Sequence, residues 1–424
     1  MDTLRKTTGS VAATTLRYRC PIVAFLASFT IVIAAYDWGR YHPDPIPRHV
    51  WMSDHSMIAW DGQWYARIAT EGYRYNHTAH SSIAFFPAYP LTARLLMGFG
   101  LSSSTALLVT SNGCFLLFLL LLWRYFTTRA IRMSDRVGVY SIASIVLWPT
   151  AFFFHVAYSE SLLVFLSLLA LYGMSRGWPL VVIAFTVGLA TATRAVGAAL
   201  VIPLLINICS RVKDRLAATK ALEVRQSVVH WNYLWVIIYH GGVLCVALWG
   251  LCAFMVFQQL AFHDAVAFAN AQVTWSRRND STTAFQYIGS LASLEPIWSV
   301  YSSQSDHKWN AESPNDPLLN MDFANPILFV GAAVLILVGA LKGWLTRDEW
   351  MWGVGALAIP YLTQAYRMCM MSHGRFSIVA FPAYIVLGHM LARMPTIAAL
   401  YLLSISGTMM AVYALLFTSW YPIY

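Results

Sequence analysis

Apolar runs separated by short polar segments cover most of the chain. A bilayer core needs about 20 mostly apolar residues per helix, and shorter helices are tolerated. Eleven runs meet or nearly meet this condition, at 20–36, 102–123, 137–154, 159–174, 178–193, 195–209, 232–260, 325–341, 350–364, 376–391 and 396–418. The run at 83–100 is also apolar, but Pro87 and Pro90 interrupt it, so we interpret it as an interfacial or re-entrant piece. The pattern predicts an all-α polytopic membrane protein with about 11 transmembrane helices, forming a single domain over 1–424.

The composition agrees with this pattern. Hydrophobic residues make up 58% of the 424 residues and charged residues only 11%, whereas a soluble domain carries about 25% charged residues. An ordinary soluble enzyme, a disordered chain and a coiled coil are therefore excluded. The six cysteines fall mostly inside apolar runs and form no Cys-x-x-Cys pair. We interpret them as packing residues and expect neither a disulfide framework nor a zinc site.

The positions of the charges indicate an orientation. With eleven spans and a cytoplasmic N-terminus, 17 of the 28 Lys and Arg residues fall on the cytoplasmic side. Cytoplasmic loops of membrane proteins carry such an excess of basic residues. The long polar stretches at 37–101 and 261–324, which we call the first and second outer loops, then lie on the extracytoplasmic side. We expect the chemistry of the protein in these two loops.

The first outer loop contains an aromatic segment around a carboxylate. Apolar and aromatic residues recur at 60, 64, 65, 68 and 69, a spacing that predicts an amphipathic helix at the membrane interface. Asp61 stands at its start, where it is either an N-cap or a general base held at the membrane surface. Trp60 and Gln63 lie beside it and are candidate substrate-binding residues. The Pro-rich aromatic segment 84–90 that follows is either an anchor or the wall of an apolar groove.

Further polar residues stand near the outer ends of short apolar runs. His155, Tyr158 and Glu160 are candidates for substrate binding, because ionisable residues in such places are costly and usually functional. A capping box-like helix start at Ser159, or a water-facing pair, is the alternative. Arg194 interrupts another apolar stretch, and a buried Arg usually meets a carboxylate or a phosphate. Pairing with Glu160 is its structural alternative.

The second outer loop adds amide, aromatic and basic side chains. Gln272, Trp275 and either Arg277 or Arg278 share one face if this segment is helical. Solvated loop charges are the alternative interpretation of the two arginines. We expect Gln272, Trp275 and Arg277 to bind substrate.

His373 and Arg375 stand at the outer mouth of a late span and are also candidate substrate-binding residues. Basic residues that converge on one outer cavity suit an anionic lipid headgroup such as a phosphate. The chain has no Gly-x-x-x-x-Gly-Lys loop, Gly-x-Ser-x-Gly elbow or His-Glu-x-x-His site. ATP-driven transport and serine or zinc hydrolysis therefore find no support.

Taken in order, these residues resemble the PIG-V-type mannosyltransferases, which include the second mannosyltransferase of GPI-anchor synthesis and its prokaryotic relatives. The matching positions are Trp60-Asp61, Ile68-Ala69, Gly72-Tyr73, Ala84-Phe85-Phe86-Pro87, Pro90, Pro149, Tyr158-Ser159-Glu160-Ser161, Arg194, Gly197, Gln272, Trp275, Arg277, Arg375 and Phe381-Pro382. Each match is short, but together they cover about 60–385. The GPI enzymes carry an acidic residue shortly before the Ala-Phe-Phe-Pro element, whereas the spacer 76–83 has none. The longer spacer is similar to the prokaryotic branch and leaves the acceptor open.

The resemblance implies a GT-C glycosyltransferase fold with the catalytic carboxylate in the first outer loop. Asp61 would then be the catalytic base, and Arg194 and Arg375 would bind the donor phosphate. The implied donor is a polyprenyl-phosphate sugar, usually mannose, with no nucleotide sugar and no other cofactor, and a metal is not expected. The implied partners are the membrane, the donor lipid and a lipid-linked or glycolipid acceptor, with no nucleic acid. The implied location is the bacterial inner membrane, with the active site on the extracytoplasmic side.

Two other functions use similar features. A transporter or flippase of lipid-linked sugars needs the same groove and basic mouth but no base. Another lipid-phosphate-dependent transferase would move a pentose or glucose instead of mannose. The charges cluster at the outer ends of the predicted spans instead of at mid-membrane depth, which favours an enzyme that acts at the interface.

Overall fold

The computed structural model describes residues 19–42, 56–221, 229–278, 282–309 and 316–421. Within these ranges every regular element is helical and no strand occurs. The predicted all-α fold class is confirmed for this part of the chain. The basic stretch 1–18, which contributes to the predicted orientation, lies outside the described residues, as do 43–55 of the first outer loop and 279–281 and 310–315 of the second.

The helices are numbered here in chain order. They are α1 Arg19–Tyr41, α2 Asp61–Glu71, α3 Ala88–Met97, α4 Ser103–Phe126, α5 Asp135–Val146, α6 Glu160–Ser175, α7 Leu180–Thr193, α8 Val201–Ala221, α9 Val229–Ala247, α10 Trp249–Phe262, α11 Ala267–Asn270, α12 Ala284–Ala292, α13 Glu295–Trp298, α14 Met321–Leu341, α15 Arg347–Pro360, α16 Tyr366–Met368, α17 His373–Ser377, α18 Pro382–Leu391 and α19 Thr396–Thr418. Short 3-10 turns lie at Ser82–Ala84, Ala151–Phe154, Ala195–Leu200, Ala271–Trp275 and Ser299–Tyr301, and a π-helical stretch lies at Tyr361–Ala365.

Several of these helices are long and apolar enough to cross a membrane. Within the described residues there are five, at Arg19–Tyr41, Ser103–Phe126, Ala195–Asp214, Met321–Leu341 and Thr396–Thr418. A sixth arises if the end of α9 and α10, which meet at 63°, count as one broken span. The sequence pattern predicted that pair as a single span at 232–260. The membrane-spanning character is thus confirmed, whereas the expected count of eleven spans is not.

Two other predicted spans contain breaks that hydropathy does not register. The run at 137–154 is helical only to Val146, because the residue before Pro149 is disfavoured in helical geometry. The run at 376–391 becomes α18 only from Pro382, which stands in the first turn, where its missing N–H costs nothing. Three apolar helices, α6, α7 and α18, are shorter than a full span, and most residues of α6 and α18 are buried.

Close helix contacts hold the bundle together. α5 packs along α18, α4 along α6, and α1 along α19. Where α10 crosses α7, a Cβ on Gly250 would lie 2.1 Å from the carbonyl oxygen of Gly188, so no larger residue fits. Small residues at such crossings let helix backbones approach closely inside a membrane. All six cysteines are free thiols.

Two polar regions lie at opposite ends of α4. Just beyond its C-terminus, Arg129 forms a bidentate salt bridge with Glu349, and both side chains are completely buried. Arg129 also donates to the carbonyl oxygen of Trp344 at 2.9 Å, so this pair fixes the turn between α14 and α15. Near the N-terminus of α4, the first outer loop meets the second outer loop and the segment 359–377. We call this region the loop end of the bundle.

Candidate functional site

A cavity of about 1730 Å³ lies at the loop end. Its walls come from α2, the aromatic segment 84–86, the second outer loop and the segment 359–376. Of the residues predicted to act in substrate binding or catalysis, the lining contains Trp60, Asp61, Gln63, Arg194, Gln272, Trp275, Arg277 and Arg375. The other predicted residues lie behind the lining, namely His155, Tyr158, Glu160 and His373.

Asp61 is the first residue of α2 and not its N-cap. Trp60 takes the cap position with φ 57° and ψ −119°, outside the regions that non-glycine residues normally adopt. The backbone N–H of Asp61 donates to the Tyr158 hydroxyl at 3.2 Å. Its carboxylate accepts a hydrogen bond from Arg375 at 2.7 Å. The partner of the Asp61 carboxylate is thus a cation in the cavity wall and not the backbone of a helix N-terminus.

Glu160 links two arginines behind this carboxylate. Its Oε1 atom lies 2.5 Å from Arg194 Nη1 and 3.3 Å from Arg375 Nε. The pairing with Arg194 that the sequence left open is therefore present, and Ser159 makes no side-chain cap. Glu160 begins α6, whose N-terminal dipole favours a carboxylate. Asp61, Glu160, Arg194 and Arg375 form one connected group, which we call the charge cluster.

Arg375 and Arg194 differ in how far they are enclosed. The Arg375 side chain is 7% exposed, and its guanidinium lies 5.0–5.6 Å from the ring centroids of Phe153, Tyr158 and Phe376. Burial works against its charge, but Asp61 and Glu160 raise the pKa of Arg375 above its ordinary value, so it remains a cation. Arg194 is 19% exposed and presents part of its guanidinium to the cavity.

The segment 155–160 fixes the start of α2. The Ala157 N–H donates to the Met57 carbonyl at 3.2 Å, and the Ser159 hydroxyl bonds the Tyr65 hydroxyl at 3.0 Å. Together with the bond from Asp61 to Tyr158, these contacts anchor the helix on both sides of the carboxylate. Tyr158 therefore contacts the site through its hydrogen bond with Asp61 and does not line the cavity.

His155 lies in the bundle interior. Its Nε2 and Nδ1 atoms bond Ser28 Oγ at 2.9 Å and Asn112 Oδ1 at 2.8 Å, and it has no exposed surface. The rings of Phe25, Phe29 and Phe115 surround it. These contacts join α1 and α4 to the segment that carries Tyr158, so the geometry indicates a structural role for His155.

The segment leading to Arg375 is strained. The π-helical stretch after α15 is followed by positive φ angles at Cys369 (49°), Met370 (62°) and Ser372 (64°). Such conformations cost about 1–3 kcal/mol each and are found at functional sites. His373 lies inside the bundle, where its ring packs against Phe329 and Phe376.

The two arginines of the second outer loop are paired, so the interpretation as solvated loop charges is wrong. Arg277 lines the cavity and lies 2.8 Å from Asp322 at the start of α14. Arg278 lies behind it, 2.8 Å from Glu295 and 4.1 Å above the Tyr366 ring centroid. Both contacts tie the loop to the helices around the cavity.

Aromatic rings form one wall of the cavity. Trp64 and Phe85 are nearly parallel with centroids 6.0 Å apart, and Trp275 stands edge-on to both at 6.1 and 6.3 Å. His80 stacks on Trp275 at 4.0 Å. We call Trp64, His80, Phe85 and Trp275 the aromatic wall. Of these, only Trp275 was predicted as a site residue, although Trp64 lies one helical turn after Asp61, a spacing that could have revealed it.

Within the described residues, no group of three or more His, Cys, Asp or Glu side chains is placed to hold a metal ion. The charged groups that line the cavity or lie directly behind it are instead mixed carboxylates and guanidiniums. The arrangement is suited to positioning an anionic substrate next to a carboxylate.

The helical bundle and its cavity define a polytopic membrane protein with an ionisable site at one end. The sequence profile described as mannosyltransferase (PIG-V) matches residues 46–311, more than half of the chain. The chain therefore belongs to the PIG-V mannosyltransferase family. Among curated proteins, none matches this sequence.

One solved structure to which the chain is similar is the oligosaccharyltransferase of Archaeoglobus fulgidus, tethered with an acceptor peptide containing the NVT sequon. The alignment has 11% identity and a TM-score of 0.43, and it covers 95% of this chain and 55% of that one. The present chain thus spans about half the length of that protein.

Proposed function

We propose that the protein transfers a mannosyl or similar hexosyl residue from a polyprenyl-phosphate donor to a lipid-linked or glycolipid acceptor. The observation that carries this proposal is the position of Asp61. Its carboxylate lies in the wall of a large cavity, fixed by Arg375 and backed by Glu160 and Arg194. Membership of the PIG-V mannosyltransferase family supports glycosyl transfer; the donor, the acceptor and the role of Asp61 are our inference.

The reaction needs a base and a group that stabilises a leaving phosphate. The acceptor hydroxyl is a weak nucleophile, so Asp61 takes its proton as the oxygen forms a bond to the anomeric carbon. The bond from that carbon to the phosphate oxygen breaks, and the leaving phosphate keeps the electron pair. Arg194 and Arg375 offset the charge that develops there. Attack opposite the phosphate inverts the anomeric centre, from a β-linked donor to an α-linked product.

The proposed donor requires neither a nucleotide nor another cofactor, because the sugar is already activated by its phosphate. We also propose a GT-C arrangement with the cavity on the extracytoplasmic side of a bacterial inner membrane and the N-terminus in the cytoplasm. The gathering of both outer loops at the loop end supports a site on one face of the membrane. The excess of basic residues in the opposite loops supports the orientation.

A transfer assay on purified protein in nanodiscs tests the proposal. Radiolabelled polyprenyl-phosphate mannose is offered with a membrane lipid extract to wild type, Asp61→Asn and Glu71→Gln. Glu71 is the matched control, since it lies on the same helix but forms an exposed pair with Arg74. We expect a labelled glycolipid from wild type and Glu71→Gln, and a loss of several orders of magnitude in Asp61→Asn.

Three outcomes would count against the proposal. Near-normal turnover in Asp61→Asn would remove Asp61 as the base. Transfer of a pentose or glucose, with no transfer of mannose, would replace the donor. Movement of intact donor lipid across a vesicle membrane, with no transfer in any lipid extract, would favour a flippase.

A further inference from the structure

The cavity lining contains two chemically different sets of residues. The charge cluster contributes Asp61, Arg194 and Arg375 to the lining. The aromatic wall and the side chains of Gln63 and Gln272 also line the cavity. The rings of the aromatic wall carry no carboxylate or guanidinium, although the Arg67 guanidinium lies 5.6 Å from the Trp64 ring centroid and Arg277, which is paired with Asp322, also lines the cavity. His80 adds no charge near neutral pH either, because partial burial lowers its pKa below the ordinary value of about 6.5.

The two glutamine amides are available for a ligand. Gln63 and Gln272 line the cavity, and within the described part of the chain neither amide makes a side-chain hydrogen bond. Each amide offers two donors and one acceptor oxygen. Neutral groups of this kind match hydroxyl groups, whereas a phosphate is better matched by the guanidiniums of the charge cluster.

The aromatic wall is held in place before any ligand binds. The stacked His80 ring covers one face of Trp275, and His80 Nδ1 lies 3.3 Å from Thr274 Oγ1. Trp64 packs against Phe85, and the Arg67 guanidinium lies 5.6 Å from the Trp64 ring. Rings fixed in this way lose little conformational freedom when they bind a ligand.

We propose that the aromatic wall, with Gln63 and Gln272, is a subsite for a neutral pyranose ring. A pyranose presents C–H groups on its face and hydroxyl groups around its edge. Aromatic faces carry partial negative charge that attracts the C–H groups, and the amides pair with the hydroxyls. A membrane anchor alone would need no free amides.

The distance to the base fits this assignment. Asp61 and Trp64 are three residues apart on α2, so their Cβ atoms are about 5–6 Å apart on the same face. A pyranose against Trp64 therefore places a ring hydroxyl or its anomeric carbon within reach of Asp61. This assignment deepens the proposed function and rests on it only for the identity of the sugar. The ring belongs either to the acceptor terminus or to the mannosyl group of the donor.

Binding experiments in nanodiscs, free of glycosidic detergents, test the subsite without turnover. The probe is methyl α-D-mannopyranoside, detected by saturation-transfer NMR. We expect a signal from wild type and at least a ten-fold weaker interaction in Trp275→Leu. Trp298→Leu is the matched control, because Trp298 lies in the same outer loop, is 53% exposed and is outside the cavity lining. It should bind as wild type does.

A second variant guards against misfolding of Trp275→Leu. Gln63→Leu keeps the helix and most of the side-chain volume but removes the amide, and it should also weaken the probe. Polyprenyl phosphate without a sugar should bind Trp275→Leu and Gln63→Leu as it binds wild type. Wild type without a probe signal, or Trp275→Leu and Gln63→Leu with wild-type signals, would overturn the subsite.

A third ligand, polyprenyl-phosphate mannose, shows whether the subsite holds the sugar of the donor or of the acceptor. If Trp275→Leu weakens polyprenyl-phosphate mannose relative to polyprenyl phosphate, the subsite holds the donor sugar. If it weakens only the methyl mannoside and raises the acceptor KM, the subsite holds the acceptor sugar. If the transfer assay fails but binding of the probe still depends on Trp275, the proposed function is rejected and the subsite is supported.

Discussion

Arg375 donates a hydrogen bond to Asp61 across 2.7 Å, although the two residues are 314 positions apart in the chain. Strained backbone lies immediately before Asp61, at Trp60, and three residues before Arg375, at Ser372. Arg375 also touches Glu160, so one guanidinium connects the proposed base to the second carboxylate. The rest of the fold holds these two strained segments against each other.

Arg375→Lys should distinguish the effect of the positive charge from the effect of the planar guanidinium group. Lysine keeps the positive charge near the leaving phosphate but cannot reproduce the planar fork that reaches both carboxylates. We expect kcat to fall by about ten- to a hundred-fold, with the donor KM within about two-fold of wild type. Steady-state kinetics measures both, with Arg393→Lys as the control, since Arg393 packs on Trp344 away from the cavity. A change confined to the donor KM would show that Arg375 binds donor without orienting Asp61.

Arg194→Gln should give the opposite pattern. Arg194 is the more exposed arginine of the charge cluster and lines the cavity. Loss of its charge should raise the donor KM by about ten-fold or more, because a charge-assisted bond to phosphate is removed. Binding of polyprenyl phosphate in nanodiscs should weaken to a similar degree. Unchanged lipid binding would leave Arg194 as a structural partner of Glu160 only.

Tyr158→Phe should reduce turnover through the backbone of Asp61. The variant removes the hydroxyl that accepts the Asp61 N–H, and it keeps the ring beside Arg375. We expect kcat to fall by about ten-fold and the donor KM to stay unchanged, as for a lost positioning contact worth about 1–1.5 kcal/mol. Tyr384→Phe is the control, because the buried Tyr384 hydroxyl has no hydrogen-bond partner in the described residues. Equal kinetics in both variants would contradict the positioning role.

Local sequence signals predicted much of the fold. Apolar runs located α1, α4, α14 and α19, because a membrane helix needs a long apolar stretch and little else. The breaks at Leu248 and after Val146 were missed. A window of hydropathy stays high across such a break, since the residues on both sides are apolar and only the backbone turns.

The site was predicted in part for a similar reason. Asp61 stands out because a carboxylate at the start of an interfacial helix is either an N-cap or a base, and Arg194 because a charge in apolar surroundings needs a partner. His155 carries the same signal, but its partners, Ser28 and Asn112, are neutral and lie inside the bundle. The sequence shows that a buried polar residue needs a hydrogen-bond or ionic partner, but only the packing of distant helices shows which residue that partner is. The contact between Asp61 and Arg375 could therefore not be read from the sequence.

Glu349→Gln should destabilise the protein and leave chemistry intact. The pair of Glu349 and Arg129 is completely buried at the end of the bundle away from the cavity. Breaking such a pair leaves an uncompensated charge and costs about 3–5 kcal/mol. Thermal unfolding in nanodiscs should show a clear loss against the control Asp348→Asn, a neighbour in the same helical turn. The kcat of the folded fraction should equal that of wild type, and a lower value would mean that this end communicates with the cavity.

His155→Phe tests whether the interior polar contacts support the site from behind. The ring has room among Phe25, Phe29 and Phe115, but the Ser28 and Asn112 side chains each lose a partner. Unpaired buried groups cost about 1–3 kcal/mol, so the unfolding temperature should fall. Because His155 begins the segment that carries Tyr158, kcat should fall as well, and His155→Gln, which can bond both partners, should restore part of both. A double-mutant cycle with Ser28→Ala should give a coupling energy above about 0.5 kcal/mol. Additive effects in that cycle would show that α1 is held by its apolar contacts alone.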